Sequence, residues 1–527
     1  MKTHKLLFLI IFLFSISEIA TKTKATAEEN TMTNNENDYV QDPIIYTDIP
    51  DPDVIRVGDT FYMTSTTMYF SPGCPIMKSK DLVNWQIVNY VYDVLEDTDE
   101  FNLANGKNAY GRGTWASSLR YNNGTFYVLF MSFTSGKSYI YHTTDIENGK
   151  WQRQTFSTIF YDSSLLFDDD GKVYVVSASD GKIYLTELTS DLTEIKSDGA
   201  KNKLIASTEL TAGLKGEGAH VQKINGKYYI FIIAWPQNSM RTQYCFRSDK
   251  IEGPYEKKIV LQNEGAAQGC IVDTKDGDWY GFVFRDMGPV GRAPVLVPVT
   301  WQEDWPILGT NGKVPHKMQK PLGNLSKTSV VSSDEFDSEK IKLEYQWNHN
   351  PDNSSWSLTQ RKGFLRLTNG TISKDFTQTR NMLTVRTCGY ICSGVTKVDT
   401  SKMKDGDIAG LAALQAKYGY IAVKKEGSKK FIANVCCYES GSDTYTEKEE
   451  NRMELSQDEI YLKEHFNFAQ NKVSFSYSLD GKNFKPFGAQ LSMVYSLKHF
   501  TGYRFALFSS ATKAAGGYVD FDFLHIE

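Results

Sequence analysis

Three acidic residues stand just ahead of apolar runs in separate stretches of this 527-residue chain. They are Asp51 in Ile49-Pro50-Asp51-Pro52-Asp53, Asp162 in Phe160-Tyr161-Asp162-Ser163-Ser164-Leu165, and Glu217 in Gly216-Glu217-Gly218-Ala219-His220. Glycoside hydrolysis needs two carboxyl groups in opposite states: one protonated, to give its proton to the leaving oxygen, and one ionised, to activate water or attack the sugar. A third carboxylate nearby keeps the acid protonated, because like charges in one pocket resist joint ionisation. A single aspartate in such a place is ordinarily a turn residue or a cap. Three of them at comparable places in three repeats weaken that reading.

The repeats are what must bring these residues together. A phrase recurs five times between residues 50 and 285: an apolar run, a glycine-containing polar turn, then an aromatic-rich run ending at Tyr62, Tyr127, Tyr174, Tyr229 and Tyr280. The turns contain Gly58-Asp59, Asn123-Gly124, Asp170-Gly171, Asn225-Gly226 and Asp276-Gly277. Asn-Gly and Asp-Gly between apolar runs are strong hairpin signals, because glycine supplies the positive φ that tight turns demand. A second turn follows in most copies, as in Ser79-Lys80-Asp81-Leu82, Thr143-Thr144-Asp145-Ile146, Thr189-Ser190-Asp191-Leu192 and Ser248-Asp249-Lys250. Four strands in each of five repeats predict a five-bladed β-propeller, against the alternative of a β-sandwich with coincidental hairpins. The innermost strands of a propeller line one axial funnel, so residues distant in sequence converge there.

Composition narrows the function classes. Aromatics make up 13% of the chain, which suits strands and offers flat faces to sugar rings. The net charge of −5, without long basic runs, argues against nucleic acid as a partner. Met1-Lys2-Thr3-His4-Lys5 and the apolar stretch from Leu6 to Ile16 read as a secretory signal peptide over residues 1–27, cleaved after Ala25-Thr26-Ala27 or at the competing Ala20. Export to the periplasm or the medium follows, with no membrane attachment after cleavage. Residues 28–42 read as a disordered leader. Seven cysteines do not make a disulfide scaffold; Cys436-Cys437 and Cys388/Cys392 are the candidate bridges, and an odd count leaves at least one thiol over. No zinc pattern accompanies them.

The stretch from Asp51 through Arg56-Val57-Gly58-Asp59 to Ser71-Pro72-Gly73-Cys74-Pro75 and Ser79-Lys80-Asp81-Leu82-Val83-Asn84-Trp85 closely resembles the opening blade of glycoside hydrolase family 43. Gly113-Thr114-Trp115-Ala116, Tyr161-Asp162-Ser163-Ser164 and Glu217-Gly218-Ala219-His220 resemble that family's later signatures in order and spacing. The resemblance implies an inverting mechanism, with Asp51 as general base, Glu217 as general acid and Asp162 raising and orienting the acid. It also implies that Arg292, in Gly288-Pro289-Val290-Gly291-Arg292, bonds the terminal sugar, and that Trp115 forms an apolar wall. Met68 stands where relatives carry an aromatic, His220 is expected to orient Glu217 or fill the core, and Gln268 to reach into the funnel. Family members often hold a calcium ion near a fifth-blade histidine. Ala266-Ala267-Gln268-Gly269-Cys270 lacks that histidine, so no cofactor is expected to be required and a calcium ion is in doubt.

The propeller is expected over residues 43–315 and a connector over 316–332. Beyond it, strand alternation without the propeller spacing predicts a β-sandwich over 333–527. Tyr345-Gln346-Trp347-Asn348-His349-Asn350-Pro351 resembles the concanavalin-like, jelly-roll domain that follows the propeller in family 43 β-xylosidases and arabinofuranosidases. In that group a sandwich loop can close the pocket over terminal sugars, whereas an independent sugar-binding module would leave it open. The resemblance thus implies an exo-acting glycosidase of pentose-containing oligosaccharides or polysaccharides, releasing β-1,4-xylosyl or α-L-arabinofuranosyl units. An endo-arabinanase and a non-catalytic sugar-binding propeller are the alternatives.

Overall fold

The computed structural model describes residues 39–262, 265–323, 327–442 and 444–527. The expected signal peptide, and the leader up to residue 38, lie outside the described residues.

The five hairpin phrases fold as five four-stranded antiparallel sheets in chain order, built from consecutive strands in all but blade 1, where the short strand Phe70–Ser71 is left out of the blade. Blade 1 runs from Asp53–Val57 to Trp85–Tyr92, blade 2 from Ser118–Asn122 to Gln152–Phe156, and blade 3 from Ser164–Phe167 to Lys203–Ser207. Blade 4 begins with Gly213–Ile224 and blade 5 with Ala266–Asp273, ending at Trp305–Leu308. The second turns also fold alike. Asp81 accepts the N–H groups of Val83 and Asn84, Asp145 those of Glu147 and Asn148, and Asp191 that of Thr193. An aspartate that bonds backbone two residues on mimics a backbone turn, which is why the same letter recurs there.

The blades close through side chains. Leu119 N–H donates to Asp53 Oδ2, Leu165 N–H to Ser118 Oγ, and Val221 N–H to Ser164 Oγ. Ile271 N–H donates to Gln222 Oε1, and Val54 N–H to Cys270 Sγ. Each innermost strand therefore hangs on a side chain of the blade before it, and the last link joins blade 1 to blade 5. Arg56 reinforces that seam by pairing with Asp273 at 2.5 Å.

Two β-sheets form the C-terminal sandwich, and one is extended by propeller residues: Phe70–Ser71 of blade 1 pairs with Tyr345–Asn348 at its edge. Asn350 N–H to the Phe101 carbonyl, Gln346 Nε2 to the Pro72 carbonyl and Tyr503 N–H to the Pro289 carbonyl add further ties. Propeller and sandwich cluster together as one unit.

Two expectations need correction. Within the predicted leader, Tyr39–Gln41 is a strand paired with Lys317–Gln319, which itself lies in the predicted connector. The Lys317 ammonium sits over the Tyr39 ring, and Asp42 pairs with Arg285, so these ends have partners that local composition does not reveal. The candidate disulfides are absent: all seven cysteines are free thiols. Cys436 and Cys437 are neighbours on one strand, Lys429–Gly441, and pack into different apolar clusters, as alternation along a strand requires.

Candidate active site

The three acidic residues converge at the mouth of the funnel. Asp51 precedes the first strand of blade 1, Asp162 that of blade 3, and Glu217 lies within that of blade 4. Asp51 and Asp162 have φ values of 52° and 39°, as does Gln268 with 60°. Non-glycine residues held at positive φ carry strain, which surrounding structure must enforce and which clusters where side chains are aimed for function.

Asp51 is 4% exposed and fully engaged. The Thr66 hydroxyl donates to its Oδ2 at 2.5 Å, and Arg292 Nη1 spans both oxygens at 2.8 and 3.0 Å. Asp162, also 4% exposed, is the opposite case, since its Oδ1 has no hydrogen-bond partner among the described residues. Burial, then the charges of Glu217 and Asp51, push its carboxyl well above the usual range. Glu217 is half-buried; burial raises its pKa, the Tyr161 hydroxyl bonded to Oε2 at 3.0 Å opposes, and Asp51 adds to the rise. The arrangement holds one carboxylate against a guanidinium and keeps a proton on the other two more easily than water would.

Arg292 is 5% exposed, with its guanidinium between Phe284 at 5.3 Å and Phe500 at 4.5 Å. Its Nε and Nη2 are buried without partners among the described residues, leaving two donors of a rigid fork for an incoming group. Trp115 is half-buried and stands 5.4 Å from Phe500 and 5.9 Å from Tyr161. Met68 is deeply buried. It is 1% exposed, bridged to Thr114 through both backbone groups, and belongs to the apolar cluster against which Trp115 packs. Gln268 packs against Gly218, where a Cβ would come within 2.7 Å of its side chain. His220 faces the propeller axis, with Nδ1 3.5 Å from Asp53 Oδ1, and does not touch Glu217 through any hydrogen bond among the described residues.

Several residues of the site were not singled out from the sequence. Phe500 and Tyr495 come from a loop of the sandwich, and Asp48 joins that loop to the propeller: its Oδ1 accepts Arg292 N–H at 2.8 Å and its Oδ2 accepts Gly502 N–H at 2.9 Å. Gly502 approaches so closely that a Cβ would lie 1.9 Å from the Val290 carbonyl oxygen. Arg241 pairs with Asp286 at 2.5 Å beside the same cluster and pulls the Glu217 pKa down somewhat. Tyr161 alone had a local signal, as the neighbour of Asp162.

The sequence profile for glycosyl hydrolases family 43 matches residues 40–306, just over half the chain. The chain belongs to that family. This family 43 hydrolase also matches, over residues 333–527, the concanavalin A-like C-terminal domain of β-xylosidases. It is 31% identical to a β-xylosidase of Formosa agariphila over 91% of its own length and 89% of that protein. It is 30% identical to a non-reducing-end α-L-arabinofuranosidase of Bacteroides ovatus over 70% and 73% of the two chains. Among solved structures, a bifunctional protein of Bacteroides eggerthii superposes with a TM-score of 0.88 at 46% identity; this covers 93% of the present chain but 63% of that longer one. An engineered family 43 enzyme with endo-xylanase and exo-arabinofuranosidase activity superposes with a TM-score of 0.84 at 29% identity, over 93% and 99% of the chains.

Proposed function

We propose that this family 43 hydrolase is an inverting exo-pentosidase that removes terminal β-1,4-xylosyl or α-L-arabinofuranosyl units from plant polysaccharide fragments. The observation that carries the reading is the unequal treatment of three converging carboxyls. Asp51, held by Arg292 and Thr66, is placed to take the proton of the attacking water. Glu217 has its pKa raised by burial and by the Asp51 charge and is placed to give a proton to the leaving oxygen, while Asp162, buried and under-bonded beside it, is assigned to keep the two carboxyls from ionising together. Arg292 Nε and Nη2 would take paired sugar hydroxyls, with Trp115 and Phe500 against the apolar face of the ring.

Exo action is favoured because Phe500 and Tyr495, from the sandwich, stand beside Arg292 and so narrow the side by which a long chain would pass. The names of the two curated relatives support both pentose activities. We assign the reaction to the outside of the cytoplasm, on the basic start and apolar segment of the N-terminus. A panel of aryl pentosides and natural oligosaccharides, with the product anomer followed by NMR, tests the proposal. Single pentose units released from chain ends with inverted configuration are expected. Internal cleavage, retention, or binding without hydrolysis would overturn it.

A further inference from the structure

Below the three carboxyls the propeller axis holds a cation that belongs to the chain itself. Residues at one equivalent place in the five innermost strands, Asp53, Ser118, Ser164, His220 and Cys270, are all buried around it. Arg120 of blade 2 extends across their centre. Its Nη1 donates to Asp53 Oδ2 at 2.7 Å, its Nη2 to Ser164 Oγ and to the Val221 carbonyl at 3.1 Å, and its Nε to the Leu165 carbonyl at 2.8 Å. Nη1 also reaches the Leu119 carbonyl at 2.6 Å, within its own blade. Those partners are placed tellingly. Asp53 lies two residues beyond Asp51, Ser164 two beyond Asp162, and Val221 four beyond Glu217. One guanidinium from blade 2 thus bonds all three strands that carry the carboxyls.

The same region fits a calcium ion poorly. A hard cation of that kind takes six to eight oxygen ligands. Here Asp53 Oδ2 and the Ser164 hydroxyl are already bonded to Arg120, the Ser118 hydroxyl accepts the Leu165 N–H, the other groups of the ring are the imidazole of His220 and the thiol of Cys270, and a divalent ion would face a guanidinium at close range.

We propose that Arg120 is a positioning residue that replaces a metal ion at the propeller axis, tying the three carboxyl-bearing strands in register and making the enzyme independent of divalent cations. This rests on the proposed roles of Asp51, Asp162 and Glu217. Five donors in a fixed plane let one arginine reach several acceptors at once, which a lysine ammonium cannot reproduce. The loss of register should therefore appear in the chemical step, since remote misplacement of reacting groups acts on turnover.

The test compares Arg120→Lys and Arg120→Ala with the parent on a pentoside, and measures the parent's melting temperature and kcat in EDTA and in millimolar calcium chloride. In Arg120→Lys, kcat is expected to fall at least about tenfold with KM within about threefold of the parent. In Arg120→Ala, millimolar guanidinium is expected to restore part of kcat; the parent is expected to melt at one temperature, with one kcat, in both solutions. A lysine variant with parental kcat, including one that only melts earlier, would overturn the proposal. So would a rise in the parent's melting temperature or kcat with calcium. Absence of pentoside hydrolysis by the parent would refute the proposed function, whereas the melting response to calcium is read without substrate.

Discussion

The mouth of the funnel and the axis beneath it are built from the same five strands, yet they solve opposite problems. At the mouth, Asp51, Asp162 and Gln268 are held at positive φ, Asp162 Oδ1 and two nitrogens of Arg292 are buried without partners among the described residues, and carboxyls crowd together. At the axis a few residues along, the side chains of Asp53, Ser118, Ser164, Gln222 and Cys270 accept the strands' N–H groups in a closed circuit around Arg120. Burial alone would raise the Asp53 pKa, but Arg120, His220 and the Leu119 N–H hold it well below the ordinary carboxylate range. Groups left strained and under-bonded for chemistry need a cross-linked layer next to them, and this one is tied through Arg120 and the strand N–H groups even though Asp53 Oδ1 and His220 Nδ1, 3.5 Å apart, have no hydrogen-bond partner among the described residues.

Substitutions can break this contrast at either level. The largest effect is expected from Asp51→Asn, which removes the base that activates water. A loss of about 10²–10⁴-fold in kcat should fall equally on activated and natural substrates, measured by steady-state kinetics. At the axis, Asp53→Ala leaves the Arg120 guanidinium without its carboxylate counter-charge; breaking a buried pair costs about 3–5 kcal/mol, read as a lowered denaturant midpoint.

Asp162→Asn should separate function from stability. With the second carboxyl gone, the repulsion that opposes joint ionisation of the pair is removed, so the Glu217 pKa falls and the alkaline limb of the pH–rate profile moves to lower pH. Stability should change in the other direction. A carboxyl whose pKa is raised by folding contributes fully below its unfolded pKa, and that contribution is lost as pH rises through the folded value. The variant, which cannot ionise, should therefore melt above the parent at neutral pH, with the gap closing in acid. The smallest effect belongs to the rim: Asp273→Asn weakens a pair with Arg56 that is about a quarter to a third exposed, costing less than ~1 kcal/mol in thermal melts.

The parts of this architecture visible in the sequence are those with local causes. Glycine turns mark the hairpins, aspartate turns mark the second loops, and Asp51, Asp162 and Glu217 stand at repeat positions that the blades bring together. What was not visible depends on contacts made far along the chain. Asp48 meets Gly502 across 454 residues, and nothing near Phe500 shows that it stacks on Arg292. Arg120 lies inside a repeat, Leu119-Arg120-Tyr121, where it reads as an ordinary strand residue; only closing the ring shows that it points along the axis. The bridge between Met68 and Thr114 is likewise a contact that local sequence does not announce.

The central claim is that Glu217 is the proton donor of this site. The most direct measurement compares Glu217→Gln with the parent on an unactivated disaccharide and on an activated aryl pentoside. Because the aryl leaving group needs little protonation, the loss on the disaccharide should exceed the loss on the aryl substrate by at least about 100-fold. Equal losses on both substrates, or parental hydrolysis of the disaccharide, would contradict the assignment.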